Sequence, residues 1–188
     1  HGVTPGLTTR GKALANGFPL SAVLGPRDVM DAARRSWISS TAASETSGLA
    51  AAEAVLARHA AEDVCAGMAH AGRAMRDIVS AALQEGAARW QQNHTLPQPA
   101  PQLSALGPDV MWRIETSEAE ALDPVVAAAA VCGMLLKRGA YQFGALAHST
   151  DALTELAARL DAFPQHLLAR AHATARSRAQ THGPHPTP

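Results

Sequence analysis

The segment from Glu62 to Glu85 carries the pattern that most limits how this chain can fold. Its apolar residues recur at alternating spacings of four and three, which places them on one continuous face of a helix. Such a helix must bury this face against other elements, and we predict that Gly86 ends it. Its methionines are expected to be core residues rather than a ligand site. The apolar positions are Val64, Met68, Ala71, Met75, Ile78, Val79, Ala82 and Leu83.

Composition indicates how such helices pack. Of the 188 residues, 47% are apolar, yet the aromatic residues are only three Trp, one Tyr and three Phe. We therefore expect helices that approach closely through small side chains such as alanine. The length is sufficient to bury a core. The formal net charge is zero and no basic stripe interleaved with aromatic residues occurs, which argues against nucleic acid as a partner.

Several locations and site types are disfavoured. The sequence has neither an apolar run of roughly eighteen residues nor the zones of a signal peptide, so we expect a soluble cytoplasmic protein without a membrane partner. Cys65 and Cys132 lie far apart within helical patterns and are expected to be buried free thiols. No histidine stands at a zinc-binding spacing from suitable partners, so we predict no metal.

The first part of the chain predicts elements of both kinds. Ser21–Leu24 predicts a short buried strand, and Pro26 then begins a short helix that ends near Arg35. An alanine-rich helix is expected from Thr46 to His59. Serine and threonine residues precede it, where free backbone amides at the positive end of the helix could hold a phosphate. The same hydroxyl residues are also ordinary helix caps, so both interpretations stay open.

The second part predicts a small α+β domain over residues 87–175. Residues 89–108 are rich in Gln and Pro and predict an irregular crossing into this domain. Residues 176–188 contain almost no large apolar side chain, so we expect a disordered tail. The expected elements are a strand at 110–115, a helix at 119–138 that stops before Gly139, a strand at 141–146, and a last helix that Ser149 or Thr150 caps and Pro164 interrupts.

Lys12 is the candidate reactive residue. The chain has two lysines, Lys12 and Lys137, against fourteen arginines. A lysine amine can lose its proton when desolvated and attack a carbonyl to form a Schiff base, whereas arginine stays charged. Gly11 and Gly17 would allow tight turns and the close approach of a flat cofactor. From spacing alone, Lys12 is either this reactive residue or a solvated loop lysine beside two turn glycines.

The segment from Val3 to Ala22 resembles the lysine segment of class III pyridoxal-phosphate aminotransferases, a family that includes glutamate-1-semialdehyde aminomutase. It contains Gly11-Lys12, followed by Asn16-Gly17-Phe18-Pro19. The resemblance extends through most of the chain and implies that Lys12 is catalytic and forms the internal Schiff base with pyridoxal 5'-phosphate. It implies amino transfer between a small-molecule amino donor and a carbonyl acceptor. Gly6 departs from the aspartate that the family usually has.

A second part of the resemblance lies in Ile38-Ser39-Ser40-Thr41, with Glu45 four residues later. In the family, the threonine of this segment reaches the cofactor phosphate in the neighbouring subunit. The resemblance therefore implies that Thr41 binds the cofactor and that the protein is a homodimer. Ser44-Glu45-Thr46 departs from the Gly-Asn-Pro that is typical of the aminomutases.

The implied fold class is α/β: the C-terminal part of the large domain of a fold-type I PLP-dependent transferase, then a small α+β domain. Residues 1–86 would form the large-domain part, including the helix that links the domains. The chain begins at His1, and the family's phosphate loop, stacking aromatic and pyridine-binding aspartate would lie upstream of it. We therefore expect an incomplete C-terminal portion that is inactive alone. The alternative is a noncatalytic remnant that acts as a dimerisation or interaction domain. His148, before the last helix, is expected to be structural.

Overall fold

A computed structural model describes residues 2–37 and 45–181 and divides the chain into two compact units. The N-terminal unit is His1–Val64 and the C-terminal unit is Cys65–Pro188. Among the described residues, no helix is long and apolar enough to cross a membrane.

The N-terminal unit contains a two-stranded antiparallel ribbon and two helices. Strand β1 (Thr8–Arg10) pairs with β2 (Ala22–Leu24), with Thr9 opposite Val23. Helix α1 (Arg27–Ala32) continues into a 3₁₀ turn that ends at Arg35, as the sequence predicted. Helix α2 (Thr46–Ala61) covers the predicted alanine-rich helix and extends two residues beyond it.

The predicted strand in this unit exists, but its predicted burial is wrong. Val23 is 51% exposed and Leu24 is 56% exposed. The ribbon is small: β2 pairs only with β1 among the described strands, and only Thr8 and Ala22 of the two strands are partly buried. The apolar pattern correctly indicated a strand, but burial requires a partner that the pattern does not supply.

The C-terminal unit holds the hydrophobic core. Helix α3 (Val64–Gln92) begins at the boundary between the units. A three-stranded antiparallel sheet follows in the order β3 (Leu103–Leu106), β4 (Met111–Thr116) and β5 (Gln142–Phe143). Helix α4 (Leu122–Val131) packs against α6 (Phe163–Thr181), and α5 (Thr150–Leu160) also contacts α6. Side chains that are almost fully buried include Leu83, Trp112, Val125 and Leu167.

Helix α3 confirms the periodic apolar face but corrects its predicted end. Gly86 lies inside the helix, which continues to Gln92. A Cβ atom at this position would lie 2.8 Å from Leu167 Cδ2 and 3.3 Å from Phe163 Cε1. Gly86 therefore serves the close packing of α6 on α3, and it does not terminate the helix.

Four further boundaries differ from expectation. Strand β3 lies within the segment that predicted an irregular crossing, where Leu103 and Ala105 face the core. Helix α4 ends at Val131 because the chain turns at Gly133, whose φ is +83°. Strand β5 has only two residues, and α6 continues to Thr181, beyond the start of the expected disordered tail. The predicted strand at 110–115 is confirmed, since Trp112 and Ile114 are buried and Arg113 is exposed.

The cysteine prediction is half right. Both thiols are free, but only Cys132 is buried, whereas Cys65 is exposed near the start of α3. Burial raises the pKa of the Cys132 thiol. The helical pattern placed Cys65 in the helix but did not settle which face it occupies.

Candidate functional site

The candidate site is built on the loop between β1 and β2, because this loop carries Lys12. The extended chain of β1 continues through Gly11, with φ −160° and ψ −158°. At Lys12 the backbone turns sharply into a 3₁₀ turn over Lys12–Leu14. The Lys12 side chain is exposed, and it makes no ion pair with any described residue. The loop thus presents a free amine immediately beyond the end of a strand.

The backbone of Lys12 lies in the left-handed region, with φ +51°. For a residue with a Cβ atom this conformation costs about 1–2 kcal/mol, and such costs concentrate at functional positions. Two hydrogen bonds maintain the turn: Leu14 N–H donates to the Gly11 carbonyl and Asn16 N–H donates to the Lys12 carbonyl, each at 3.1 Å. Ala15, at the centre of the turn, is fully buried. The surrounding loop therefore imposes this conformation on Lys12.

The two flanking glycines differ in what they do. Gly17 has φ +110° and follows Asn16, which has φ +45°, so the loop reverses direction through two consecutive left-handed residues. Gly11 has extended backbone, and a Cβ atom there would make an ordinary 3.6 Å contact with Ser21 Cβ. The turn expected of both glycines is thus required only at Gly17.

The N-terminus of α2 contains a functional group that the sequence reasoning missed. Glu45 is the N-cap, and its carboxylate accepts hydrogen bonds from Ser47 N–H at 3.1 Å, Gly48 N–H at 2.8 Å and Ser47 Oγ–H at 2.6 Å. The Ser47 hydroxyl first, and then the Gly48 and Ser47 amides, lower the pKa of this carboxyl. A carboxylate on the positive end of the helix also interacts favourably with its dipole.

This cap bears on the expected phosphate site. The amides of Ser47 and Gly48, which a phosphate could have used, are already bound by Glu45. The expectation of free amides at this helix end is therefore wrong for these two groups. Thr41 itself lies outside the described residues. An acidic residue directly before the helix was the signal that could have revealed the cap.

His148 precedes α5, as expected. Its Nδ1 accepts a 3.0 Å hydrogen bond from Ala145 N–H, which joins the loop after β5 to the start of the helix. A backbone N–H can only donate, so Nδ1 carries no proton in this arrangement. This bond agrees with the structural role predicted for the residue.

The N-terminal unit exposes many large apolar side chains. In the described part of the N-terminal unit, the buried apolar residues are Ala15, Ala52 and Val64. Larger apolar side chains are instead mostly in contact with solvent, which is characteristic of surfaces that bind protein. The exposed ones are Val3, Leu7, Phe18, Val23, Leu24, Val29, Trp37, Leu49 and Leu56.

Comparison with known proteins identifies this lysine-bearing region. The family model described as "Aminotransferase class-III" matches residues 1–93, which include Lys12 and Thr41. Just under half of the chain, residues 1–93, is thus similar to the class III aminotransferases. The resemblance that the sequence motifs indicated is thus confirmed. No curated protein sequence matches the chain.

Solved structures show a similar fold over most of the chain. The FumI protein of Sphingopyxis sp. MTA144, solved in its PLP internal aldimine form, is 27% identical over 93% of this chain, with a TM-score of 0.66. The ornithine aminotransferase of Toxoplasma gondii is 22% identical over 93% of the chain, with a TM-score of 0.65. An omega-transaminase from Sphaerobacter thermophilus is 19% identical over 88%, with a TM-score of 0.60.

These likenesses confirm the predicted fold class, an α/β fold of the fold-type I transaminases. The chain accounts for only 39%, 39% and 40% of the lengths of those three proteins. It therefore spans about two fifths of the length of these similar proteins.

Proposed function

We propose that this chain forms part of a pyridoxal 5'-phosphate-dependent class III aminotransferase in which Lys12 holds the cofactor covalently. One observation carries the proposal: within the matched family segment, the loop forces Lys12 into a left-handed backbone conformation and leaves its amine exposed and unpaired by the described residues. Strain of this kind persists only where the surrounding structure maintains it, and it clusters at functional sites.

The residues fit this cofactor in one respect and not in another. An exposed primary amine at the end of a strand can react with the cofactor's aldehyde. The helix end next to the predicted phosphate-binding segment is different, because Glu45 already occupies the amides of Ser47 and Gly48. The phosphate would then be bound by side chains such as Thr41 rather than by these amides. As the family implies, Thr41 would serve the neighbouring subunit of a homodimer.

When bound, the cofactor supplies an electron sink, and the protein supplies orientation and proton transfer. Lys12 has two tasks in this scheme. Its Nζ would hold the cofactor covalently, and the same amine, when free and neutral, would take a proton from the donor's amine-bearing carbon. Arginine cannot replace it, because a guanidinium stays protonated. Water must be kept from the site for a neutral amine to persist.

The finer parts of the proposal concern specificity and organisation. We propose a substrate preference like that of glutamate-1-semialdehyde aminomutase, with a small amino donor and carbonyl acceptor, in a cytoplasmic enzyme. Residues 1–86 would complete the large domain and residues 87–175 would form the small domain, followed by a tail. The 188-residue chain alone would not catalyse transamination, since relatives of this fold are more than twice its length.

Reductive labelling tests the assignment of Lys12. Borohydride treatment of the cofactor-loaded protein makes the lysine–cofactor bond permanent and blocks tryptic cleavage after the labelled lysine. Label on Lys12 yields the peptide Gly11–Arg27, whereas label on the control residue Lys137 yields Ile114–Arg138. We expect the label only in the first peptide. Stoichiometric label in the second peptide, with Lys12 unmodified, would disprove the proposal.

A companion experiment tests Thr41. Thr41→Ala should weaken cofactor binding about tenfold or more, because a hydrogen bond to a charged group contributes roughly 1.5–3 kcal/mol. Ser40→Ala is the matched control on the neighbouring residue. Equal cofactor affinity in both variants and the parent would remove Thr41 from the site.

The exposed apolar surface of the N-terminal unit favours a second function, that of a dimerisation or interaction domain without catalysis. Exposed side chains such as Val23, Leu24 and Leu56 would then bind a protein partner. The labelling experiment separates the two proposals, because a remnant of this kind would show no preference for Lys12 over Lys137.

A further inference from the structure

An open cleft of about 420 Å³ lies in the C-terminal unit, between α5, Met75 and the segment from Gly133 to Leu135. Its floor is apolar. Met75 is buried in the core, and Met134, Leu153 and Leu156 are partly buried against that core. Clefts of this size with an apolar lining and a few polar groups are the usual form of small-molecule sites.

Three polar side chains line the cleft: Glu155 and Arg159 on α5, and His148 in the loop before it. The spacing of four places Glu155 and Arg159 on one side of the helix. Arg159 Nε and Nη2 both donate to Glu155 Oε1, at 3.0 and 2.5 Å. The cleft therefore contains a positive and a negative group at the same edge.

Each polar side chain keeps one group without a partner among the described residues. His148 Nδ1 is used by Ala145 N–H, so in the neutral ring the proton lies on Nε2, which remains a donor. Arg159 Nη1 has no acceptor within the described residues and lies over Gly133, where a Cβ atom would come within 2.5 Å of it. Glu155 Oε2 has no donor there either, because both bonds from Arg159 go to Oε1.

We propose that this cleft binds a zwitterionic α-amino acid with a large apolar side chain. The carboxylate would accept hydrogen bonds from Arg159 Nη1 and His148 Nε2, and the ammonium would donate to Glu155 Oε2. The side chain would lie on the apolar floor, where the sulfurs of Met75 and Met134 make favourable contacts with an aromatic ring. The three polar groups carry no net charge when His148 is neutral, which suits a ligand that is itself neutral overall.

A net-neutral ligand explains the arrangement better than a simple anion or cation does. A carboxylate alone would meet Glu155 as well as Arg159, and an amine alone would meet the guanidinium. The proposed binding does not involve Lys12 or a cofactor, so its outcome is independent of the labelling result described above.

The test is a titration of the 188-residue chain, isotope-labelled at its methionine methyls, with L-phenylalanine, followed by NMR. We expect saturable shifts at Met75 and Met134 with a dissociation constant in the millimolar range. Met30, in the N-terminal unit, and Met111, on β4, are internal controls that should not shift. Absence of saturable shifts at Met75 and Met134 would overturn the proposal.

Ligand analogues separate the three contacts. L-alanine lacks the apolar side chain, 3-phenylpropanoate lacks the ammonium, and phenethylamine lacks the carboxylate, so each should bind more weakly than L-phenylalanine. If either singly charged analogue binds as tightly as L-phenylalanine, the zwitterion proposal is wrong.

Variants of the ion pair between Glu155 and Arg159 provide a third test of the proposal. Arg159→Gln should weaken L-phenylalanine binding about tenfold, since hydrogen bonds to charged groups are the stronger ones. Glu155→Gln should weaken L-phenylalanine binding but leave 3-phenylpropanoate binding equal or improved. Glu85→Gln and Arg89→Gln are matched controls, because this pair on α3 has the same i,i+4 spacing and a similar exposure outside the cleft. Unchanged L-phenylalanine affinity in Arg159→Gln would contradict the assignment.

Discussion

Replacing Lys12 by glycine and by alanine separates the strain in its backbone from the chemistry of its amine. Both changes remove the amine, so both should abolish covalent attachment of the cofactor. They differ only in the backbone, because Lys12 has φ +51° and glycine alone adopts that conformation without a steric penalty. We expect Lys12→Gly to have a more stable loop than Lys12→Ala, and a loop at least as stable as that of the parent.

The magnitude follows from two opposing terms. Left-handed backbone costs a residue with a Cβ atom about 1–2 kcal/mol, and Lys12→Gly removes this cost while Lys12→Ala retains it. Glycine loses more conformational freedom on folding than alanine does, which destabilises Lys12→Gly by roughly 0.5–1 kcal/mol. The net advantage of glycine over alanine is thus about 0–1.5 kcal/mol, and its centre of about 0.75 kcal/mol is a few-fold change in the equilibrium for local opening.

Hydrogen exchange of the Asn16 amide is the appropriate assay, because this N–H donates to the Lys12 carbonyl at 3.1 Å and exchanges only when the turn opens. Protection should be a few-fold higher in Lys12→Gly than in Lys12→Ala. Lys137→Gly is the matched control: Lys137 has no left-handed φ, so glycine there should bring no gain. Equal or lower Asn16 protection in Lys12→Gly would refute the assignment of strain to this residue.

Two further predictions concern packing and pH. Gly72→Ala should lower the free energy of unfolding of the C-terminal unit in urea by about 2 kcal/mol. Overpacking destabilises it by about 3 kcal/mol, and the higher helix propensity of alanine offsets about 1 kcal/mol of this. A Cβ there would lie 2.0 Å from the Asp109 carbonyl oxygen, so an unchanged midpoint would contradict this contact. The Glu45 cap should weaken as pH falls below the ordinary carboxyl value of 4.5, since folding lowers the pKa of this group and its contribution is lost once it is protonated. Below this pH, protection of the Gly48 amide from hydrogen exchange should fall in the parent but not in Glu45→Gln, which has no carboxyl group to protonate. Identical pH profiles of the two proteins would exclude the carboxylate as the cap.

The sequence predicted best where one local pattern decides the structure. Alternation along residues 110–115 was enough to identify β4, since Trp112 and Ile114 must share one face of a strand. The 4–3 spacing in α3 identified its buried face in the same way. These patterns need no knowledge of the partner, only that some core exists on that side.

Predictions failed where a non-local contact decides. Gly86 looked like a helix terminator, but its lack of a side chain is used by Leu167 and Phe163, which lie about eighty residues later in the chain. Strand β3 had no strong alternation of its own, yet it forms because Leu103–Leu106 pair with residues 113–116 of β4. A sequence window cannot contain such information.

In the candidate site, too, local features were predictable from the sequence and features that depend on distant contacts were not. The family resemblance of the segment around Lys12 was predictable, because the match is local and continuous, whereas the role of Lys12 itself stays a prediction. The left-handed backbone of Lys12 could not be predicted from the sequence, since this conformation depends on how the whole loop between β1 and β2 closes. The Glu45 cap was not predicted, because the hydroxyl residues before α2 are the commoner caps, although a carboxylate satisfies the same amides.

The exposed apolar residues of the N-terminal unit bear on the proposed role of Lys12. In the C-terminal unit, Met75, Val79 and Leu83 of α3 and the alternating residues Trp112 and Ile114 of β4 are buried. In β2 the same kind of pattern remains exposed at Val23 and Leu24, and the nearby Lys12 amine is exposed as well. An amine that reacts with a carbonyl must be neutral, and removal from water favours the neutral form. The larger relatives have enough additional chain to cover a ribbon of this kind. Such a cover would bury Val23 and Leu24, and it would also remove the Lys12 amine from water and so favour its neutral, reactive form.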